Sequence, residues 1–399
     1  MPTRIHLGLS TCPNDTYLAH ALLTGAVETP GLELDIELMD VQELNERLAR
    51  GDFDVAKASY HLALRHADEL VVMPTGSALG FGNGPLLLAR QELTGTLPGP
   101  ASRVLCPGED TTATLLYRLF HARGAAPEQR VFSEIMPALE AGEADFGVCI
   151  HEGRFTYEES GLVCVEDLGA SWEAATSCPL PLGGLFARRG LDEALVDAVQ
   201  DALSRSIRYA DDHREETLPT MRAHAQELDD AVIWSHVELY VNGWTRRLGP
   251  EGRRAIAQLA ERAASAGILA PGHALEIFEP FAGRRLFHMV PAGAAGVLEA
   301  LGEVRPASLE EEGFVHLSQA GQLEGTLDVH FEGVDQVLLL ELDPERVAAD
   351  GRFEPSRGGA LFPHLFRPID LAADVVGRTT LSRGPGGRFQ LPGDIAARG

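Results

Sequence analysis

His151 closes the apolar run Phe146-Gly-Val-Cys-Ile-His, and Gly153 follows two positions later. An imidazole at such a point sits where a strand gives way to a turn, the place where open α/β sheets handle ligands. A neutral imidazole is also the usual side chain for taking a proton near neutral pH. Glu152 or a backbone carbonyl could fix its tautomer. Consecutive strand residues point to opposite faces, so adjacency gives Glu152 no advantage. By residue type alone His151 is equally an ordinary member of a set of 14 histidines.

Three further stretches could bring a polar ligand to it. In Ser10-Thr-Cys-Pro-Asn-Asp-Thr16 the Ser10 hydroxyl and Asn14 amide stand at an expected helix start, where capping side chains and free N–H groups suit a carboxylate. Pro107-Gly-Glu-Asp-Thr-Thr-Ala-Thr114 repeats this with Thr111, Thr112 and Ala113. Lys57-Ala58-Ser59-Tyr60 ends a third strand, and Lys57 is the only lysine among 33 Lys plus Arg. A compact ammonium and a planar guanidinium are not interchangeable in a tight pocket. Two facing helix starts and one ammonium make an anion clamp.

The elements that must position these residues alternate. Strands are expected at Ile5–Ser10, Leu32–Met39, Asp54–Ser59 and from Val71, with helices at Tyr17–Leu23, Val41–Arg50 and His61–Ala67. Such alternation implies a largely parallel sheet covered on both faces. Pro85–Arg90 and Pro179–Arg188 read as two extended crossings around a second set: strands at Arg103–Cys106, Val131–Ile135 and Phe146–Ile150, with a helix from Thr111. One lobe inserted into another is the layout of the two-lobed, type II periplasmic-binding-protein-like α/β fold. The first lobe would be residues 1–88 and 190–270, the second 89–189. Leu191 to Ile268 is helical in pattern, Ala270-Pro-Gly-His-Ala274 reads as a boundary, and residues 278–399 form a small additional α+β domain.

Composition narrows the function classes. With 45% hydrophobic and 23% charged residues the 399-residue chain is ordinarily globular, and a net charge of −26 repels nucleic acid and anionic membranes. No stretch approaches the ~20 apolar residues of a membrane span. The amino-terminal sequence lacks the apolar core of a signal peptide, which sets a cytoplasmic expectation. Five scattered cysteines without a Cys-x-x-Cys pair indicate reduced thiols, with neither a disulfide scaffold nor a zinc site. Oligomeric state is not written in the sequence.

Ser-x-Cys-Pro-Asn-Asp-Thr at Ser10 to Thr16, Lys-x-Ser-Tyr at Lys57 to Tyr60, Gly-x-Gly-Pro at Gly82 to Pro85, Thr111-Thr112, and Ile-His-Glu-x-Arg-Phe-Thr-Tyr at Ile150 to Tyr157 together resemble the 1,4-dihydroxy-6-naphthoate synthases of menaquinone biosynthesis by the futalosine route. The resemblance covers residues 4 to about 270. It implies a binding-protein-like fold turned into a carbon–carbon lyase that cleaves cyclic dehypoxanthinyl futalosine, a small carboxylate, without metal or organic cofactor. It also implies that His151 is the proton acceptor and that Lys57 to Ser59 and Thr112-Ala113 contact substrate. Thr11 stands where the family pattern has proline. The alternative from another class is a non-catalytic solute-binding or sensor protein of the same fold, in which His151 only hydrogen-bonds its ligand.

Towards the carboxy terminus, Phe287-His288, Glu312-Gly-Phe-Val-His-Leu-Ser318, Phe353-Glu354 and Leu361-Phe-Pro-His-Leu-Phe366 resemble domain-of-unknown-function family 952, whose fold has been likened to ADP-ribosyltransferases. His288, His316, Ser318, Glu354 and His364 could form one polar pocket there. Their spacing matches no zinc pattern.

Overall fold

The computed structural model describes residues 2–150, 153–225, 229–281, 284–356, 361–384 and 386–396. It divides into two compact units, Met1–Phe278 and Glu279–Gly399.

In the first unit, β1 (Thr3–Ser10), β2 (Leu32–Met39) and β3 (Val55–Ser59) are parallel neighbours, with α1 (Pro13–Leu23) and α2 (Val41–Arg50) as the connections. α2 shows why its limits are sharp. Asp40 accepts the Gln42 N–H at the start, and Gly51 ends the helix at φ +92, a conformation that glycine enters without strain. Period-2 alternation in β1 sends Ile5, Leu7 and Leu9 against Val196, Val199, Leu203 and Ile207 of the helix Glu193–Asp212. Gly8 faces the other way, where an added Cβ would lie 2.8 Å from Leu44 and 3.0 Å from Phe53. Each large aliphatic side chain removed from water here stabilises by roughly 1.5–3 kcal/mol.

After α3 (Tyr60–Arg65), β4 (Leu70–Val72) and β5 (Ala78–Gly80) belong to the same sheet, and β6 (Leu86–Arg90) opens a second. That second sheet contains β7 (Val104–Cys106), β8 (Glu128–Gln129), β9 (Phe146–Cys149) and β10 (Leu162–Asp167) in the order β10-β6-β9-β7-β8. Its main helices are α4 (Thr112–Phe120) and α5 (Phe132–Glu140). Residues Val131–Ile135, expected as a strand, start α5 instead: Ile135, Ala138 and Leu139 form a buried helical face, a spacing that five residues are too few to reveal. β11 (Leu180–Arg188), expected as a crossing, lies inside the first sheet, antiparallel to β3, β4 and β5. β12 (Glu276–Ile277) then pairs in parallel with β4, and Phe278 is buried behind it, so the chain leaves this sheet only after the turn at Ala270 to Ala274. One apolar core runs through both lobes, joining Leu44 and Tyr60 to Leu87, Leu115 and Trp172, with Ile256 and Leu259 of the helix Gly249–Ser265.

The second unit is built on β13 (Leu286–Pro291), a short β14 (Glu303–Val304), β15 (Val315–His316), β16 (Ser318–Gln319), β17 (Gln336–Leu342), β18 (Gly351–Pro355), β19 (Leu361–Leu365), β20 (Ile369–Asp370) and β21 (Val375–Ser382). β13 and β17 are central in an antiparallel sheet, and β15-β19-β18 form another. Alternation splits the core in two: Leu286, Val290, Leu340 and Leu342 pack on one side, Phe287, Met289, Val337 and Leu339 on the other. No helix among the described residues is long and apolar enough to cross a membrane.

Candidate functional site

The end of β1, the first turn of α1 and the end of β3 meet at a buried ion pair. Lys57 Nζ donates to Asp15 Oδ1 at 2.5 Å and to the Gly76 carbonyl at 3.1 Å. Both side chains are almost wholly buried, 7% and 5% exposed. Removing two charges from water is tolerated only when the remaining lone pairs are satisfied, and here they are. The Ser10 hydroxyl donates to Asp15 Oδ2 at 2.5 Å, and the Asn14 amide donates to Oδ1 at 2.8 Å. Asn14 and Asp15 are therefore not helix caps, as their position suggested. Cys12 stands at the N-cap position but its side chain does not cap the helix, Pro13 occupies the first turn, and the polar side chains turn into the site. Thr11 donates its backbone N–H to the Met39 carbonyl at 3.2 Å, a bond that proline cannot make.

The opposite wall is the start of α4. Thr111 caps it, accepting the Thr114 N–H at 3.2 Å and donating to the Gly108 carbonyl at 2.8 Å. The Thr112 hydroxyl reaches the first lobe, donating to the Leu182 carbonyl on β11 at 2.7 Å. His61 on α3 supports the same turn: its backbone N–H donates to Thr112 Oγ1 at 3.4 Å, and its Nδ1 lies 3.2 Å from the Thr111 carbonyl. A carbonyl only accepts, so Nδ1 carries the proton. Burial pushes the His61 pKa down to about 4, with Asp110 opposing, which keeps the ring neutral.

Between these walls lies a cavity of about 90 Å³. Ser10, Asn14, Lys57, Ala58 and Ser59 line it from the first lobe, and Thr111, Thr112 and Ala113 from the second. The Ser59 hydroxyl is fixed by Asn45, whose amide donates to it at 3.2 Å. His151 and Glu152 lie outside the described residues. The residues that bracket them, Ile150 and Arg154, both line the cavity. Arg154 is held by the Gly84 carbonyl and by Asp167, the latter at 2.8 Å.

Sequence reasoning passed over Asp15 as a partner for Lys57, and over His236 and Tyr240 on the helix Asp230–Tyr240, which also line the cavity. His236 Nε2 lies 3.0 Å from Asn14 Oδ1, and the Tyr240 hydroxyl donates to the Asn83 carbonyl at 3.3 Å. Their four-residue spacing puts both on one helix face. A lone histidine in an 11-residue helix gives no sign of a partner 222 positions away.

In the second unit the five candidate residues do not converge on one pocket. His316 and His364 are cross-strand partners, with ring centroids 5.1 Å apart, and Glu354 lies 3.0 Å from His364 Nδ1. The Phe314 ring stacks on His364 at 3.9 Å. His288 is spent on the chain itself, its Nδ1 2.8 Å from the His316 carbonyl. Burial lowers the pKa values of His288 and His364. Ser318 departs from the group: it is the cross-strand partner of Phe287, on the sheet face opposite His288, and its hydroxyl lies 3.3 Å from that of Thr326. Among the described residues no group of three or more His, Cys, Asp or Glu is placed to hold a metal ion.

Residues 5–265 match the family model described as menaquinone biosynthesis. The chain belongs to that family. A curated relative from Thermus thermophilus, named 1,4-dihydroxy-6-naphtoate synthase, is 46% identical over 267 residues, which are 67% of this chain and 96% of the relative. Among solved structures, protein AF1704 from Archaeoglobus fulgidus is 28% identical with a TM-score of 0.62, over 67% of this chain and 98% of that one. The alkanesulfonate-binding protein SsuA from Xanthomonas axonopodis pv. citri, bound to MOPS, shares the fold at 16% identity and a TM-score of 0.53, over 69% of this chain and 96% of its own. The menaquinone-biosynthesis region thus has the periplasmic-binding-protein-like fold. Residues 289–377 match a second model, described as protein of unknown function (DUF952), so the chain is a two-domain fusion.

Proposed function

We propose that the chain is a carbon–carbon lyase converting cyclic dehypoxanthinyl futalosine to 1,4-dihydroxy-6-naphthoate, with His151 as the base. The observation that carries this reading is the buried Asp15–Lys57 pair opening onto the same cavity as Thr111 to Ala113 of the other lobe. Such a cavity suits a substrate with a carboxylate for the α4 start and the ammonium, and hydroxyls for Ser10, Ser59 and Thr112. Removal of one hydroxyl proton by His151 starts the cleavage, and formation of an aromatic ring drives it. Contact between the lobes excludes water and orients the substrate against the base. The reaction is assigned to the first unit, with the second as an appended domain.

The test is to incubate the protein with the cyclic futalosine derivative and follow naphthoate by absorbance or mass. Release of naphthoate supports the lyase. Unchanged substrate at high protein concentration leaves a binding protein of the same fold.

A further inference from the structure

The hydrogen bonds through Asn14 have a direction that can be deduced atom by atom. Asp15, as the carboxylate partner of the Lys57 ammonium, only accepts. The end of the Asn14 amide that faces it at 2.8 Å is therefore the nitrogen. The other end is the carbonyl oxygen, and it faces His236 Nε2 at 3.0 Å. A carbonyl has no proton to give, so Nε2 must carry one. The line runs one way: His236 Nε2–H to Asn14 Oδ1, Asn14 Nδ2–H to Asp15 Oδ1, and Lys57 Nζ–H to that same oxygen.

The members come from three separate elements of the first unit. Asn14 and Asp15 are in the first turn of α1, Lys57 is on β3, and His236 is on the helix Asp230–Tyr240, where it is 2% exposed. Asp15 has its second oxygen on Ser10, so the carboxylate has little freedom to turn. Lys57 places two of its three N–H groups on Asp15 and Gly76, and the third is the one that can meet a ligand. The direction of that third N–H follows from where Asp15 is held. Asp15 is held in part by an amide whose orientation His236 dictates.

We propose that His236 is a positioning residue of the cleft, which locks the Asn14 amide and through Asp15 aims the Lys57 ammonium at the anionic group of the substrate. Without a donor at position 236 the amide can turn over, setting its oxygen against the Asp15 carboxylate, acceptor to acceptor. The ion pair then shifts, and the substrate's carboxylate meets a displaced cation. Proton removal does not pass through this line, so the defect falls on substrate capture. The kinetic arm rests on the lyase reading above; the spectroscopic arm does not.

The kinetic experiment compares His236→Phe, which keeps a ring and loses the donor, with His236→Gln, whose amide N–H stands near the place of Nε2. Steady-state kinetics of the full chain with cyclic dehypoxanthinyl futalosine should show KM raised about tenfold in His236→Phe with kcat little changed, and KM near wild type in His236→Gln. Equal rises in both variants, or a loss confined to kcat, would overturn the proposal. If His236→Phe does not fold, His236→Gln decides alone: near-wild-type KM supports the proposal and a raised KM refutes it.

The second arm needs no turnover. Nitrogen-15 spectra of the histidine-labelled full chain, with the His236 signals assigned by their loss in His236→Gln, should show Nε2 protonated. A bare Nε2 with the proton on Nδ1 would refute the line of bonds. A wild-type chain that releases no naphthoate would refute the lyase reading alone, and the spectrum would still decide the role of His236.

Discussion

Each unit of the molecule holds a close pair of titratable side chains, fully buried in the first and only half buried in the second. Lys57 and Asp15 are both withdrawn from water, and both carboxylate oxygens are bonded, by Ser10, Asn14 and the ammonium. His364 and Glu354 are 3.0 Å apart, but the imidazole is 2% exposed and the carboxylate 36%. Among the described residues the buried His364 Nε2 meets no hydrogen-bond partner. The difference is one of charge. Burying two ions demands a complete set of bonds, whereas a neutral imidazole can be sheltered under a phenylalanine ring at smaller cost. The Lys57–Asp15 pair, with its carboxylate fully bonded and one ammonium N–H left over, opens onto a cavity and fixes a cation there, which is what an anion-binding site needs.

The contrast can be broken most sharply at Lys57. Lys57→Met strands Asp15 as a buried carboxylate, at a cost of roughly 3–5 kcal/mol, and removes the cation of the cleft. Denaturant unfolding of the first unit should report that loss, and Lys57→Met/Asp15→Leu should recover much of the stability but none of the naphthoate release. Full stability in the single variant would show that the pair is not buried in solution.

The next effect concerns pH. His61 is held neutral with a folded pKa of about 4 against an ordinary value of 6.5. Between those values the unfolded chain binds the extra proton, so stability is present above pH 6.5 and is lost as pH falls towards 4, by about 3 kcal/mol in all. His61→Gln should flatten that acid slope in the unfolding midpoint of the first unit. Thr111→Ala, which removes the α4 cap, should cost about 1 kcal/mol, read as a lower midpoint at neutral pH. The smallest effect belongs to the second unit. The pKa of His364 is also lowered by burial, so the stability of that unit should decline as pH falls below 6.5, and His364→Phe should lessen the decline. An unchanged slope would mean that water reaches the ring.

Much of this architecture could be read in the sequence where local rules agree. β2 and α2 keep the limits expected for them, Leu32–Met39 and Val41–Arg50. The side chains of Ser10, Asn14, Lys57, Ser59, Thr111 and Thr112 were visible as chemistry because each ends a strand or starts a helix. What long-range pairing decides was not visible. Asp15 looks like a helix-start residue until Lys57, 42 positions on, is seen beside it. His236 has no local signal at all, and Ser318 looked close to the other candidates of its unit until the register of β16 with β13 put it on the other face. The strand expected at Val131 failed because a short apolar run has no period of its own.

Base-catalysed cleavage at His151, as proposed, is tested most directly by the rate of naphthoate release at saturating cyclic dehypoxanthinyl futalosine by His151→Ala beside the wild type, with substrate binding measured in parallel by calorimetry. His151→Ala should bind substrate and lose turnover by orders of magnitude. Release at near the wild-type rate would contradict it.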